Sequence, residues 1–407
     1  MEWLTGIYLL YIFVALYFLV LFTMTFLQNK KEMFNFPKTD KHYSISVLIP
    51  AFNEQDSLKG TVESVLKSEY NIKEIIIIND GSSDNTQKIA KELEKKHSKV
   101  KLFDKPNSGK GDSLNQAIKI AKGELVAVVD ADSYPSEDAI LKMVGYFDDE
   151  EVGAVTTRIL VRNPDNFIQK LQMIEYKVVS FSRRLLGFLD AIYVTPGPLA
   201  LYRKSALVKV GGFDTKNITE DIEMTWHLVF EGYKIKMSFM PYVTTVAPNG
   251  FKKWFKQRVR WNIGGFQTII KYRRFFMRKG MLGWFILPFF TISLFLGVLG
   301  LTILLYRFSK RFLIAYLSTK YSIQTQTSVL MMQDLNLHPS ILVFFGLVLL
   351  IFGILFTLFA LYVANLRLNE KTTLFSIAFY SLIYITLYPV ILIISLYKFA
   401  TKKYSWR

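Results

Sequence analysis

The chain has 407 residues, with 50 Lys and Arg against 33 Asp and Glu, four His and no Cys. A hydrophobic share of 51% excludes a disordered chain, and a charged share of 20% excludes one buried wholly in lipid. The missing cysteine rules out disulfides, Cys-ligated zinc, iron–sulfur clusters and thiol catalysis, while the net charge of +17 calls for an anionic counterpart: a lipid surface, a phosphorylated substrate or nucleic acid.

In chain order, residues 3–27 (WLTGIYLLYIFVALYFLVLFTMTFL) come first and carry no charge. This run exceeds the ~20 residues that cross a bilayer as helix. It lacks a basic leader and is followed by Lys30 and Lys31, so it reads as a membrane span and not as a cleaved signal peptide. Residues 281–306, 341–364 and 374–397 are three further runs of this kind. The reading is a multi-pass membrane protein with four spans, inside a range of three to five. It divides into an N-terminal helix with a basic flank (1–40), a polar segment of domain size (41–279) and a C-terminal membrane domain with about three helices (280–407). Lys30, Lys31 and Lys38 precede the polar segment, and Lys271, Arg273, Arg274, Arg278 and Lys279 close it. The positive-inside rule places that segment in the cytoplasm, with the basic flanks on membrane lipids. No interleaved basic–aromatic motif is present, so nucleic acid is not an expected partner. The segment 307–317 (RFSKRFLIAYL) reads either as part of an exterior loop or as an amphipathic helix lying along the membrane.

Within the polar segment, strands are expected at 44–50 (SISVLIP), 74–78 (EIIII), 99–103 and 125–129 (LVAVV), alternating with helices after each of the first three. Continuous apolar runs of this length are those of strands covered on both faces, and the alternation predicts a doubly wound parallel α/β sheet. Ligands of such sheets bind beyond the carboxyl ends of the strands. There the sequence places the polar clusters 50–54, 79–83 and 130–133.

Asp130 and Asp132 directly follow the fourth strand. In extended backbone, residues two apart share a side, so both carboxylates can meet one ligand. Their mutual repulsion would be relieved by a divalent cation carrying a diphosphate, although a polar turn at a strand end needs no such ligand. Asp80 ends the second strand inside an Asn-Asp-Gly turn, with Ser83 or Asp84 available to cap the next helix. Lys110 lies between Gly109 and Gly111 before a helix, a setting suited to phosphate, but the segment is no P-loop. Thr219-Glu220-Asp221 reads either as a helix start with Thr219 at the N-cap or as a site with one carboxylate acting as general base. Gln257-Arg258-Val259-Arg260-Trp261 has the composition of a membrane anchor. The four histidines are scattered without metal-binding spacing.

Taken together, VLIPAFNE (47–54), IIINDGSSDNT (76–86), NSGKGDSLN (107–115), VVDADS (128–133), TPGPLALYRKSAL (195–207), TED (219–221) and QRVRW (257–261) resemble the membrane-bound processive family 2 glycosyltransferases. The group includes synthases of cellulose, chitin and hyaluronan, and the pattern is most similar to the bacterial poly-β-1,6-N-acetylglucosamine synthases. The resemblance spans about 215 residues and implies a Rossmann-like glycosyltransferase-A domain inserted between transmembrane helices. By this resemblance Asp80 contacts the uracil–ribose end of a UDP-sugar, with Glu54 in the same pocket and Lys110 as a further nucleotide contact. Asp130 and Asp132 hold the diphosphate and its Mg²⁺ or Mn²⁺. Asp221 is the general base, Arg260 neutralises the departing diphosphate, and Gln257 and Trp261 meet the acceptor sugar. The implied activity is inverting, metal-dependent transfer from a UDP-sugar, UDP-GlcNAc above others, which extends and exports a β-linked polysaccharide. The alternative is transfer of one sugar to a membrane lipid. A catalytically dead subunit is disfavoured because Asp80, Asp130, Asp132 and Asp221 are all present. The sequence departs from these relatives at EDIEMTWH (220–227) and TPGP (195–198), and an export channel built from so few spans would call for a homodimer or a small membrane partner.

Overall fold

The computed structural model describes residues 2–325, 341–364 and 374–403. After the apolar helix α1 (Glu2–Asn29), the chain alternates through β1 (Ile45–Ala51), α2 (Leu58–Leu66), β2 (Glu74–Asp80), α3 (Thr86–Lys96), β3 (Val100–Lys105), α4 (Lys110–Ile120) and β4 (Leu125–Val128). All three pairings among these strands are parallel, as helical crossovers require. β2 and β4 are buried along their whole length, which is why β4 and the four isoleucines of β2 are unbroken apolar runs. Alternate side chains serve opposite faces. Val47, Ile49, Ile75 and Ile77 pack with Leu58 and Val62 of α2 and Leu93 of α3, whereas Leu48, Ile76 and Ile78 pack with Leu114 and Ala117 of α4.

Beyond β4 the regular alternation ends. β5 (Ser133–Pro135), the short α5 (Leu141–Val144), β6 (Val152–Val161), α6 (Phe167–Phe188), β7 (Ala200–Arg203), α7 (Lys204–Lys209), α8 (Glu220–Phe230), β8 (Lys234–Thr245) and α9 (Phe251–Tyr272) follow. β7 runs antiparallel to both β4 and β6, β8 is parallel to β6, and β5 is antiparallel to β8. The completed order is β3-β2-β1-β4-β7-β6-β8-β5. The expected doubly wound parallel sheet is therefore only the first half of a mixed, eight-stranded, Rossmann-like sheet. The free edge of β4 is taken by a four-residue strand returning in the opposite sense.

The remaining helices are α10 (Leu287–Thr325), preceded by a π-helical turn at Leu282–Ile286, then α11 (Ile341–Val363), α12 (Leu374–Phe379) and α13 (Ile385–Ala400). Among the described residues, Thr5–Asn29 and Leu282–Thr325 are each long and apolar enough to cross a membrane. Leu374–Leu382 and Leu387–Ala400 qualify together as a pair bent by 45°. The 39 residues of α10 span about 58 Å, well beyond a ~30 Å hydrocarbon core. Residues 307–317 are an unbroken continuation of that helix, which corrects both the loop and the separate amphipathic helix expected there; residues 326–337 lie outside the described residues. α9 joins the two parts of the molecule: its Trp254, Val259 and Ile263 pack with Leu171 of α6 and Ile391 of α13.

Candidate active site

The site forms where four elements end. Beyond β4, Ala131 is buried and its carbonyl accepts the Thr61 hydroxyl at 2.8 Å. This pins the Asp130-Ala131-Asp132 segment over the sheet edge. Lys110 is the first residue of α4, with Gly109 at φ 93° in the N-cap position, so it lies inside the helix and not before it. Its Nζ lies 2.6 Å from Asp130 Oδ1 and 2.8 Å from Glu220 Oε1, so one ammonium ties the β4 end to the start of α8. The amide of Asp130 donates to the Gly197 carbonyl at 3.1 Å. A Cβ on Gly197 would stand 2.5 Å from Asp130 Oδ2 and 2.6 Å from Lys110 Nζ, so a larger residue here must displace the ends of these two side chains.

A buried hydroxyl chain holds Asp221 from below. Thr225 Oγ1 donates to the Asp221 carbonyl at 2.7 Å and accepts the Thr195 amide at 2.9 Å. With the Thr225 proton so used, the Thr195 hydroxyl donates to Thr225 and the Tyr202 hydroxyl to Thr195, both at 2.8 Å. The segment 195–198 and α8 are thereby locked together. Thr219 occupies the N-cap position of α8, but its hydroxyl does not cap the helix; it donates to Asn217 Oδ1 instead.

The electrostatics are those of an acidic cluster around Lys110. Burial, then the charges of Asp130 and Glu54, push the Asp132 carboxyl up to about 7. Burial and the adjacent Glu220 lift Asp221 to about 6, with Lys110 and the Ile222 amide opposing. Burial also raises Glu54, against the hydrogen bond it accepts from Ser57 at 2.5 Å. Burial works against the charge of Lys110, yet Asp130, Glu220 and Asp221 outweigh it and hold the ammonium above the ordinary lysine range. Asp132 and Glu54 form no ion pair among the described residues. Nor does any trio of His, Cys, Asp or Glu there make a ready metal cage. Asp132, raised by burial and by the charges of Asp130 and Glu54, is a carboxylate whose ionised form a hard divalent cation with substrate phosphate oxygens would favour.

Asp80 sits one step outside this cluster. Its Oδ1 accepts Lys105 Nζ at 2.6 Å and the Ser108 amide at 2.9 Å, and its Oδ2 accepts the Gly109 amide at 2.9 Å. Burial opposes its charge, but Lys105 and the two amides prevail and hold the carboxyl below the usual range. Its visible work is to shape the turn that delivers Lys110. On α9, Gln257 Oε1 accepts Arg258 Nη1 at 2.9 Å, and the Arg258 guanidinium also pairs with Glu175 and lies 4.1 Å from the Trp261 ring. α9 reaches the site through Gly264, where a Cβ would come within 2.0 Å of Thr219 Oγ1. Arg260 is exposed and makes no ion pair among the described residues. The structure thus gathers Glu54, Lys110, Asp130, Asp132 and Asp221, ties Asp80 to the turn before Lys110, and sets Gln257, Arg260 and Trp261 on the adjoining helix. Sequence reasoning missed Glu220 as the second anchor of Lys110, and Lys105 as the partner of Asp80.

Residues 46–211 match the family described as glycosyl transferase family 2. This segment lies in a region 35% identical over 259 residues to the poly-β-1,6-N-acetyl-D-glucosamine synthase of Staphylococcus aureus strain MSSA476, covering 63% of this chain and 62% of that protein. It is 40% identical over 230 residues to the protein of the same name from Staphylococcus epidermidis, covering 56% of each. The match thus spans less than two thirds of these relatives' length. In fold, the transferase domain and its helices are similar to a mannosyltransferase of Pyrobaculum calidifontis solved with GDP-mannose and Mn²⁺. The TM-score is 0.59 over 98% of this chain and 96% of that one, at 17% identity.

Proposed function

We propose that this chain is a membrane-anchored, inverting glycosyltransferase that moves N-acetylglucosamine from UDP-GlcNAc to the end of a β-linked glycan. The observation that carries this reading is the carboxylate cluster around Lys110 at the carboxyl edge of the sheet, within a family 2 domain. The staphylococcal relatives supply the choice of sugar. In this reading residues 41–279 form the cytoplasmic catalytic domain between membrane helices, and the product leaves through the membrane with the help of a second copy or a small membrane partner.

Asp130 and Asp132 would hold a divalent cation, Mg²⁺ or Mn²⁺, which when bound supplies positive charge to the donor diphosphate. Lys110, held beside Asp130, adds a second positive charge at the helix start and stabilises the leaving UDP. Asp221, ionised above about pH 6, accepts the proton of the attacking sugar hydroxyl, a contribution of typically 10²–10⁴-fold. One base and direct displacement invert the anomeric centre, so an α-linked donor gives a β-linked product and no carboxylate nucleophile is required. Asp80 and Glu54 shape the nucleotide pocket, and Trp261, braced by Arg258, offers a flat face to the acceptor.

A donor panel tests the reading. Purified full-length protein in nanodiscs would receive UDP-GlcNAc, UDP-glucose or GDP-mannose with Mn²⁺, and sugar transfer would be measured with and without EDTA. UDP-GlcNAc should be turned over fastest, and only with free metal. Preference for GDP-mannose would overturn the donor assignment, and undiminished turnover in EDTA would remove the cation from Asp130 and Asp132.

A further inference from the structure

α6 carries a buried polar stripe that the mechanism above does not use. Gln172, Tyr176, Ser180 and Arg183 recur at i, i+4, i+8 and i+11, so they share one face of the helix. Phe181 and Leu185 point elsewhere, into the apolar layer beneath the sheet. Arg183 is 6% exposed, and its Nε and Nη1 are buried without a hydrogen-bond partner. Ser180 Oγ and Gln172 Oε1 share that condition. The neighbouring Arg184 shows what a structural arginine looks like in this helix: its guanidinium is tied to the backbone carbonyls of Glu32, Met33, Asn35 and Met237. Buried donors and acceptors left open are costly, and each calls for an explanation such as a ligand that completes it.

The stripe lies within reach of the charges of the site. The chain leaving α6 doubles back on α8, with Trp226 Nε1 donating to the Tyr193 carbonyl at 3.2 Å and the Thr195 amide donating to Thr225 at 2.9 Å. The ionisable groups acting on Arg183 are Tyr193, Asp221 and Tyr176. Those acting on Tyr176 include Arg258, the brace of Trp261, and Asp132. Lys110 stands on the diphosphate side, against Asp130 and Glu220. Asp221 already provides a negative charge for the guanidinium, so what Arg183 lacks is an oxygen acceptor and not another anion. A neutral sugar fits that need better than a phosphate, which Asp221 would repel.

We propose that Arg183 is an acceptor-binding residue: its free N–H groups donate to a hydroxyl or acetamide oxygen of the terminal acceptor sugar and hold it against Asp221, with Ser180 and Gln172 extending the same polar face. This rests on the sugar-transfer reading given above.

The test uses the full chain in nanodiscs with UDP-GlcNAc, Mn²⁺ and a β-1,6-linked N-acetylglucosamine trimer as acceptor probe. Arg183→Gln should raise the acceptor KM about 10- to 100-fold, the factor for losing a hydrogen bond from a charged donor, while the donor KM changes by less than about threefold. Arg183→Lys should recover part of the loss, and Ser180→Ala should show a smaller rise in the acceptor KM alone. If Arg183→Gln does not fold, the Lys and Ser180→Ala variants decide. An unchanged acceptor KM in both, or a rise confined to the donor KM, would overturn the proposal while leaving the transferase reading intact. Absence of transfer by the unaltered protein would overturn both.

Discussion

Lys110 bridges a carboxylate of the β4 end to one of α8, and Lys110→Met isolates its effect on Asp221. Its Nζ contacts Asp130 at 2.6 Å and Glu220 at 2.8 Å, and its charge holds down a general base whose carboxyl lies at about 6. Two unit charges ~5 Å apart at an effective dielectric of ~20 interact by roughly 3 kcal/mol. Losing the ammonium therefore lifts the Asp221 carboxyl by up to about two units. The sign is fixed: the base must be ionised to work, so the acid limb of kcat/KM moves to higher pH. Activity at pH 7 should fall about tenfold from this cause alone, with a further loss of about 10²–10³-fold from the missing stabilisation of UDP. Lys110→Arg keeps the charge and should keep the limb near its original position. The assay is a rate–pH profile of sugar transfer from about pH 5 to about pH 9 for all three proteins. A Lys110→Met profile that is lower but has an unmoved acid limb, or one displaced to lower pH, would refute the electrostatic link between Lys110 and Asp221.

Asp221→Asn should lower kcat by about 10²–10⁴-fold with little change in donor KM, measured by steady-state kinetics. Gly197→Ala should place a methyl group within 2.6 Å of Lys110 Nζ and wedge it from Asp130; kcat/KM should fall by about 10²-fold while the thermal midpoint barely moves. Glu175→Gln should leave the wholly buried Arg258 side chain charged and unanswered by its carboxylate, costing about 3–5 kcal/mol, read as a lower midpoint of thermal inactivation.

The parts of the fold legible in the sequence are those where burial writes a long local signal. The β2 run of four isoleucines must lie between two helical layers, and the acids after β4 are conspicuous because an apolar strand delivers them. β5 and β7, with three and four residues, carry too little pattern to show that the sheet turns mixed after β4. Lys110 was visible as a cation near a helix start. Its bridge to Glu220 joins residues far apart in sequence, so no local signal could have revealed it. Asp80 stood out as a strand-end acid, yet its partners Lys105, Ser108 and Gly109 come from the next crossover, and only the packing of β3 beside β2 discloses that its oxygens are occupied. Arg183 and Arg184 are chemically identical neighbours, and only the fold shows that one is tied down and the other is open.

The most direct test of the central claim is the size of the product made by purified protein from radiolabelled UDP-GlcNAc with Mn²⁺, resolved by gel and by lipid extraction. The account predicts a labelled polymer of high molecular weight that a β-N-acetylglucosaminidase digests. A single labelled lipid, with nothing retained at high molecular weight, would contradict it.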